Sequence, residues 1–114
     1  IQHAGVVFGL DRYPNHIYAG FPADHPATQT SRAFQAVTAA CMLIRRDAWT
    51  AMGGFDRAFV NGWEDVDLCL RVADFGYRVV WTPDDVLTHV ESASRGYEIA
   101  ERARLARANA EWAF

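Results

Sequence analysis

The chain has 114 residues, 51% hydrophobic, 22% charged and 13% aromatic, and fourteen acidic against eleven basic side chains give a formal net charge of -3. This is the composition of one globular domain, large enough to bury a single core and hardly a second. The negative balance is the wrong sign for a domain held by phosphate contacts to nucleic acid, and no apolar stretch approaches the roughly 20 residues that span a bilayer.

In chain order, residues 4–8 are small and apolar between Gly5 and Gly9 and predict a short buried strand. Residues 11–31 carry Pro14, Pro22 and Pro26 with scattered aromatics and read as a long irregular loop. Residues 34–45 are rich in Val, Thr, Ile, Leu and Cys and predict a buried strand ending at Arg45 and Arg46, which face water. Asp47 is placed to N-cap a short helix to Met52, which Gly53-Gly54 stops. The run 64–75 has apolar residues at 68, 69, 72 and 75, three carboxylates in its first turn and Gly76 after it, the clearest helical pattern in the chain. Asp67 and Arg71, four apart, pair on its outer face. Strands are expected over 77–82 and 86–90 around a Pro83-Asp84-Asp85 turn, and an amphipathic helix over 96–112.

Cys41 and Cys69 stand among apolar residues with no C-x-x-C spacing, so both read as core thiols in a reducing compartment. The opening Ile1-Gln2-His3-Ala4-Gly5 lacks a signal-peptide pattern and looks like the middle of a longer protein. His3, His16 and His25 have no metal-ligand spacing and are expected at the surface or in loops.

The sharpest local feature is Asn61-Gly62-Trp63-Glu64-Asp65-Val66-Asp67, an aromatic and two adjacent carboxylates where a loop becomes a helix. Glu64 and Asp65 can simply offset the helix dipole while Trp63 packs on the loop. Alternatively, a carboxylate beside an aromatic platform is a general base facing a hydroxyl-bearing ligand such as a sugar. Asp65 suits that role better than Asp67, because it shares a helical side with Leu68, Cys69 and Val72 and tilts toward the protein body. His89, a lone histidine within an expected strand, reads more readily as a structural residue than as a ligand. Arg95, with Ser92 and Ser94, offers donors suited to a phosphate or forms a solvated turn.

Residues 36–46, Gly53-Gly54-Phe55-Asp56, the run from Phe59 to Arg71, Gly76-Tyr77-Arg78-Val79 and the segment from Pro83 to His89 together resemble the C-terminal half of glycosyltransferase family 2, particularly its bacterial rhamnosyltransferase-like members. The ordered combination G-G-F-D, W-E-D-x-D-L-x-x-R, Pro and a downstream His carries the resemblance. It implies an α/β class, the acceptor-side half of a GT-A fold with a mixed β-sheet flanked by helices. Residues 1–114 would then be one fragment of a transferase domain whose N-terminal nucleotide-binding half, with its D-x-D motif, is absent.

The resemblance implies an inverting hexosyltransferase in polysaccharide or glycan synthesis, moving a sugar from a nucleotide-diphosphate donor to an acceptor hydroxyl. Asp65 maps to the catalytic base, Glu64 and Trp63 to the acceptor site, His89 to a ligand of a divalent cation (Mn²⁺ or Mg²⁺), and more weakly Arg95 and Ser94 to the donor diphosphate. Asp65-Val66-Asp67 has D-x-D spacing but lies in the acceptor-side motif. The fragment alone is expected to be inactive, and the intact protein cytoplasmic, at the inner face of the membrane. A non-catalytic carbohydrate-binding or interaction module on the same scaffold is the alternative. A two-carboxylate glycosidase ranks last, since adjacent Glu64 and Asp65 cannot flank one bond from opposite sides.

Overall fold

A computed structural model describes residues 1–59 and 62–90. Strand β1 (Val6–Phe8) pairs antiparallel with β2 (Pro14–His16), Val6 opposite His16 and Phe8 opposite Pro14. The hairpin turn closes through Gly9 N–H to Tyr13 O (3.0 Å) and Tyr13 N–H to Asp11 Oδ1 (3.1 Å). β2 lies within the expected irregular loop, where Pro14 and two polar neighbours hide a strand. Pro26–Thr28 forms a 3-10 turn capped by His25, whose Nδ1 accepts from Ala27 N–H.

The expected strand over 34–45 does not form. Only β3 (Arg32–Ala33) pairs, antiparallel with β4 (Val80–Trp81), and a single bridge joins Val6 to Ala36. Beyond it the chain bends into a 3-10 turn, Ala39–Cys41, capped by Thr38 Oγ1. The N–H groups of Thr38 and Ala39 are taken by side chains from elsewhere, so they cannot feed a ladder. Leu43 is 100% exposed, and Cys41, expected in the core, is exposed too.

Helix α1 (Arg46–Met52) starts two residues earlier than an Asp47 cap requires. Arg45 is the N-cap, and Asp47 in the first turn pairs with its guanidinium (2.6 Å). Gly53 ends the helix at φ 71°, a left-handed position open to glycine at no steric cost. Helix α2 (Glu64–Asp74) matches the expected span and buries Val66, Leu68, Cys69 and Val72. Of these, Val66 and Cys69 meet Val6, Ala36 and Val79, with Phe8, Val37, Met42 and Leu70 packed around them.

The expected Asp67–Arg71 pair forms, but partly buried, and Arg71 does more than pair with Asp67. Its side chain is 30% exposed and reaches from α2 to the end of α1, where Nη1 donates to Met52 O (2.8 Å) and Nη2 to Gly54 O (2.9 Å) while Nε donates to Asp67 Oδ2 (2.8 Å). Of the strand expected over 77–82 only β4 forms, because Gly76 turns the chain at φ 100° and Tyr77 N–H bonds back to Val72 O. Residues 86–90 form no strand: Val86, Leu87 and Val90 are exposed after a turn built on Thr82 and Asp84. The described residues thus hold two separate antiparallel strand pairs in place of one mixed sheet. The expected helix over 96–112 lies outside the described residues.

Candidate active site

The first turn of α2 sets the site. Trp63, its N-cap, holds φ 73°, a conformation costly for a bulky residue. Glu64, Asp65 and Asp67 follow at the positive end of the helix dipole. The Trp63 ring meets Tyr13 of the β1–β2 turn edge to face, centroids 5.9 Å apart. Tyr13 is exposed, so two aromatic rings from distant segments stand beside the carboxylates.

Asp65 is half-buried and tilts toward the body of the protein. Its Oδ2 accepts from Ala39 N–H (2.9 Å) and its Oδ1 from Val66 N–H (2.8 Å). Each carboxylate oxygen can accept a second hydrogen bond, so this anchoring leaves capacity for a ligand hydroxyl. Glu64 is partly buried, and its Oε2 is shielded from solvent with no hydrogen-bond partner among the described residues. Such an oxygen is costly unless something completes it.

His89 lies on the exposed segment after β4, its Nδ1 3.1 Å from Gln2 Oε1. Ser94 and Arg95, with Ser92, lie outside the described residues. The structure therefore gathers Trp63, Glu64 and Asp65 at one helix end and ties His89 to the segment leading into β1. A cavity of about 150 Å³ beside Val37, Met42, Leu68, Cys69 and Val79 holds none of these site residues.

Sequence reasoning missed His3. Expected at the surface or in a loop, it stands outside any helix or strand but is partly buried, its Nε2 3.3 Å from Thr38 N and its Nδ1 3.1 Å from His16 Nδ1. Burial, reinforced by His16 and opposed by Asp65, pushes its ring from 6.5 down to about 4. The one signal in the sequence was its place just before the apolar Ala4-Gly5-Val6 run. Burial also pushes the Cys69 thiol up, and its Sγ lies 3.7 Å from Val37 O.

The implied divalent cation finds no ligand set here. Among the described residues no three His, Cys, Asp or Glu side chains converge, and His89 contributes at most one donor. Also among the described residues, no helix is long and apolar enough to cross a membrane.

An α/β chain with a carboxylate-bearing helix end beside paired aromatics is the kind of site that handles hydroxyl-rich ligands. The sequence profile of the glycosyltransferase like family 2 matches residues 17–110, and the chain belongs to that family, whose fold is GT-A. It is 42% identical over 114 residues to y4gI of Sinorhizobium fredii, a protein described as uncharacterized, covering 94% of this chain and 12% of that protein. It is 39% identical over 100 residues to the O-antigen biosynthesis protein RfbC of Myxococcus xanthus, covering 83% of this chain and 8% of that protein. An N-acetylglucosaminyl-diphospho-decaprenol L-rhamnosyltransferase of Mycobacterium tuberculosis is 34% identical over 64 residues, 56% of this chain and 21% of its own length. The chain thus spans between 8% and 21% of the length of these relatives. No solved structure matches it.

Proposed function

We propose that the protein containing this chain transfers a sugar from a nucleotide-diphosphate donor to an acceptor hydroxyl in bacterial glycan synthesis, and that these residues form the acceptor side of the transferase domain. The observation that carries the reading is Asp65, anchored on the Ala39 N–H beside Trp63 in a family 2 chain. Asp65 accepts the proton of the acceptor hydroxyl. That oxygen attacks the anomeric carbon from the face opposite the diphosphate, the glycosidic bond to the diphosphate breaks, and configuration inverts. Trp63 stacks on the acceptor sugar, and a hydroxyl of that sugar completes the unpartnered Glu64 Oε2. The donor diphosphate is held by sequence outside the described residues, including Ser94 and Arg95. Relatives named for O-antigen biosynthesis and rhamnosyl transfer support a cell-envelope glycan product and a rhamnose donor.

The test is to offer the intact protein a panel of nucleoside-diphosphate sugars, rhamnose donors among them, with lipid-linked and free glycan acceptors. The product's anomeric configuration is then read by NMR. A product inverted relative to its donor is expected. Donor hydrolysis or transfer with retention would overturn the mechanism, and sugar binding with no turnover of any donor would favour a carbohydrate-binding module.

A further inference from the structure

Two consecutive backbone N–H groups, those of Thr38 and Ala39, point at two side chains from different ends of the chain. Ala39 N–H is bound by Asp65 Oδ2 (2.9 Å) and Thr38 N–H by His3 Nε2 (3.3 Å). The backbone amide can only donate, so Nε2 of His3 carries a lone pair and the ring proton sits on Nδ1. From there it points at His16 Nδ1, 3.1 Å away on β2, which accepts it. The ring of His16 stands edge-on to that of His3, centroids 4.8 Å apart.

Val37 and Met42 pack on the core on either side of the two amides, and between them the chain makes only one short turn. The ladder ends at the Val6–Ala36 bridge, Ala39–Cys41 is a single 3-10 turn capped by Thr38, and Leu43 beyond it is fully exposed. The position of Ala39 N–H, and through it of Asp65 Oδ2, therefore depends on what grips the turn one residue earlier.

The geometry points to His3 as a positioning residue for Asp65: its neutral ring, oriented by His16, clamps the Thr38–Ala39 turn from which the Asp65 carboxylate is hung. This inference rests on the reading of Asp65 as the base. The charged and titratable groups acting on the His3 ring are His16 and Asp65, and burial with His16 outweighs Asp65, which keeps the ring in its accepting form at neutral pH.

The experiment compares His3→Leu and His3→Gln with the wild type in the intact protein, reading residue-resolved amide hydrogen exchange together with kcat and KM for the nucleotide sugar that wild type turns over. Leu cannot accept a hydrogen bond, whereas the Gln carbonyl reaches roughly where Nε2 stands. His3→Leu should speed exchange at Thr38 and Ala39 at least tenfold, leave the α2 amides protected, and lower kcat about 10- to 100-fold at little-changed donor KM, the loss typical of removing an outer orienting partner. His3→Gln should restore both readouts to within about threefold. Unchanged exchange at Thr38 and Ala39 in His3→Leu would overturn the clamp. Faster exchange with unchanged kcat would overturn its role in positioning Asp65. If His3→Leu also exposes α2, His3→Gln decides: wild-type behaviour supports the clamp and a loss overturns it. Failure of the base reading is seen separately, as full turnover by Asp65→Asn with the exchange pattern intact.

Discussion

Replacing Arg71 by Met keeps most of the aliphatic stem and removes every donor that ties α2 to the end of α1. The Asp67 pair is an i,i+4 contact with both side chains partly exposed, worth about 0.5 kcal/mol. The bonds to Met52 O and Gly54 O come from a charged donor to carbonyls at the end of a helix, where few other partners are available, and contribute about 1 to 1.5 kcal/mol each. Together they predict a loss of about 3 kcal/mol, near 150-fold in the folding equilibrium. The seven-residue α1 is far too short to persist without tertiary support, so the damage should concentrate there. Urea unfolding gives the total, and hydrogen exchange over residues 46–54 gives the local part. Arg71→Lys should recover only about 1 kcal/mol, because a single ammonium cannot span three acceptors set in a fork. A loss under 1 kcal/mol for Arg71→Met, with α1 still protected, would refute the clasp.

Stability should also fall in acid through His3. Unfolded, its ring takes a proton near 6.5, while folded it resists until about 4, so its contribution is complete above pH 6.5 and is lost as pH drops from 6.5 toward 4. That shift corresponds to up to ~3 kcal/mol, which solvent screening of a partly exposed ring brings to about 2. His3→Gln should flatten this part of a melting-temperature profile, and an unchanged slope would contradict the burial. Leu68 is 0% exposed in α2, so Leu68→Ala should cost about 3 kcal/mol in urea unfolding. Gly5 has φ 119° and a Cβ there would run into the Phe34 ring, so Gly5→Ala should cost at least about 2 kcal/mol, where Gly20→Ala, with open space around it, should cost less.

Local pattern carried the sequence reading where partners are near in the chain. Leu68, Cys69 and Val72 at helical spacing, with Gly76 behind them, placed α2, and Gly53 placed the end of α1. Its failures come from long-range partners. Residues 34–45 have strand composition, yet His3, 35 positions before Thr38, and Asp65, 26 beyond Ala39, take the amides a strand would use. Arg71 looked like a surface pair because only Asp67 is visible at i−4, whereas its carbonyl partners lie 19 and 17 residues away. Cys41 reads as core from its apolar neighbours, yet only Met42 beside it packs inward, while Ala40, Cys41 and Leu43 are exposed. The carboxylates and Trp63 were legible as a candidate site because they are contiguous. Tyr13 and His3 were not, since only the β1–β2 hairpin brings Tyr13 to Trp63, and His3 reaches the Asp65 turn across the fold.

The account turns on Asp65 as a base, and the most direct measurement is kcat of Asp65→Asn in the intact protein at saturating donor and acceptor. Asn keeps the shape and can still accept from Ala39 N–H, but it cannot take a proton. Turnover should fall 10²- to 10⁴-fold with acceptor KM little changed and the Ala39 amide still protected. Turnover within threefold of wild type, with the same amide protected, would contradict the assignment.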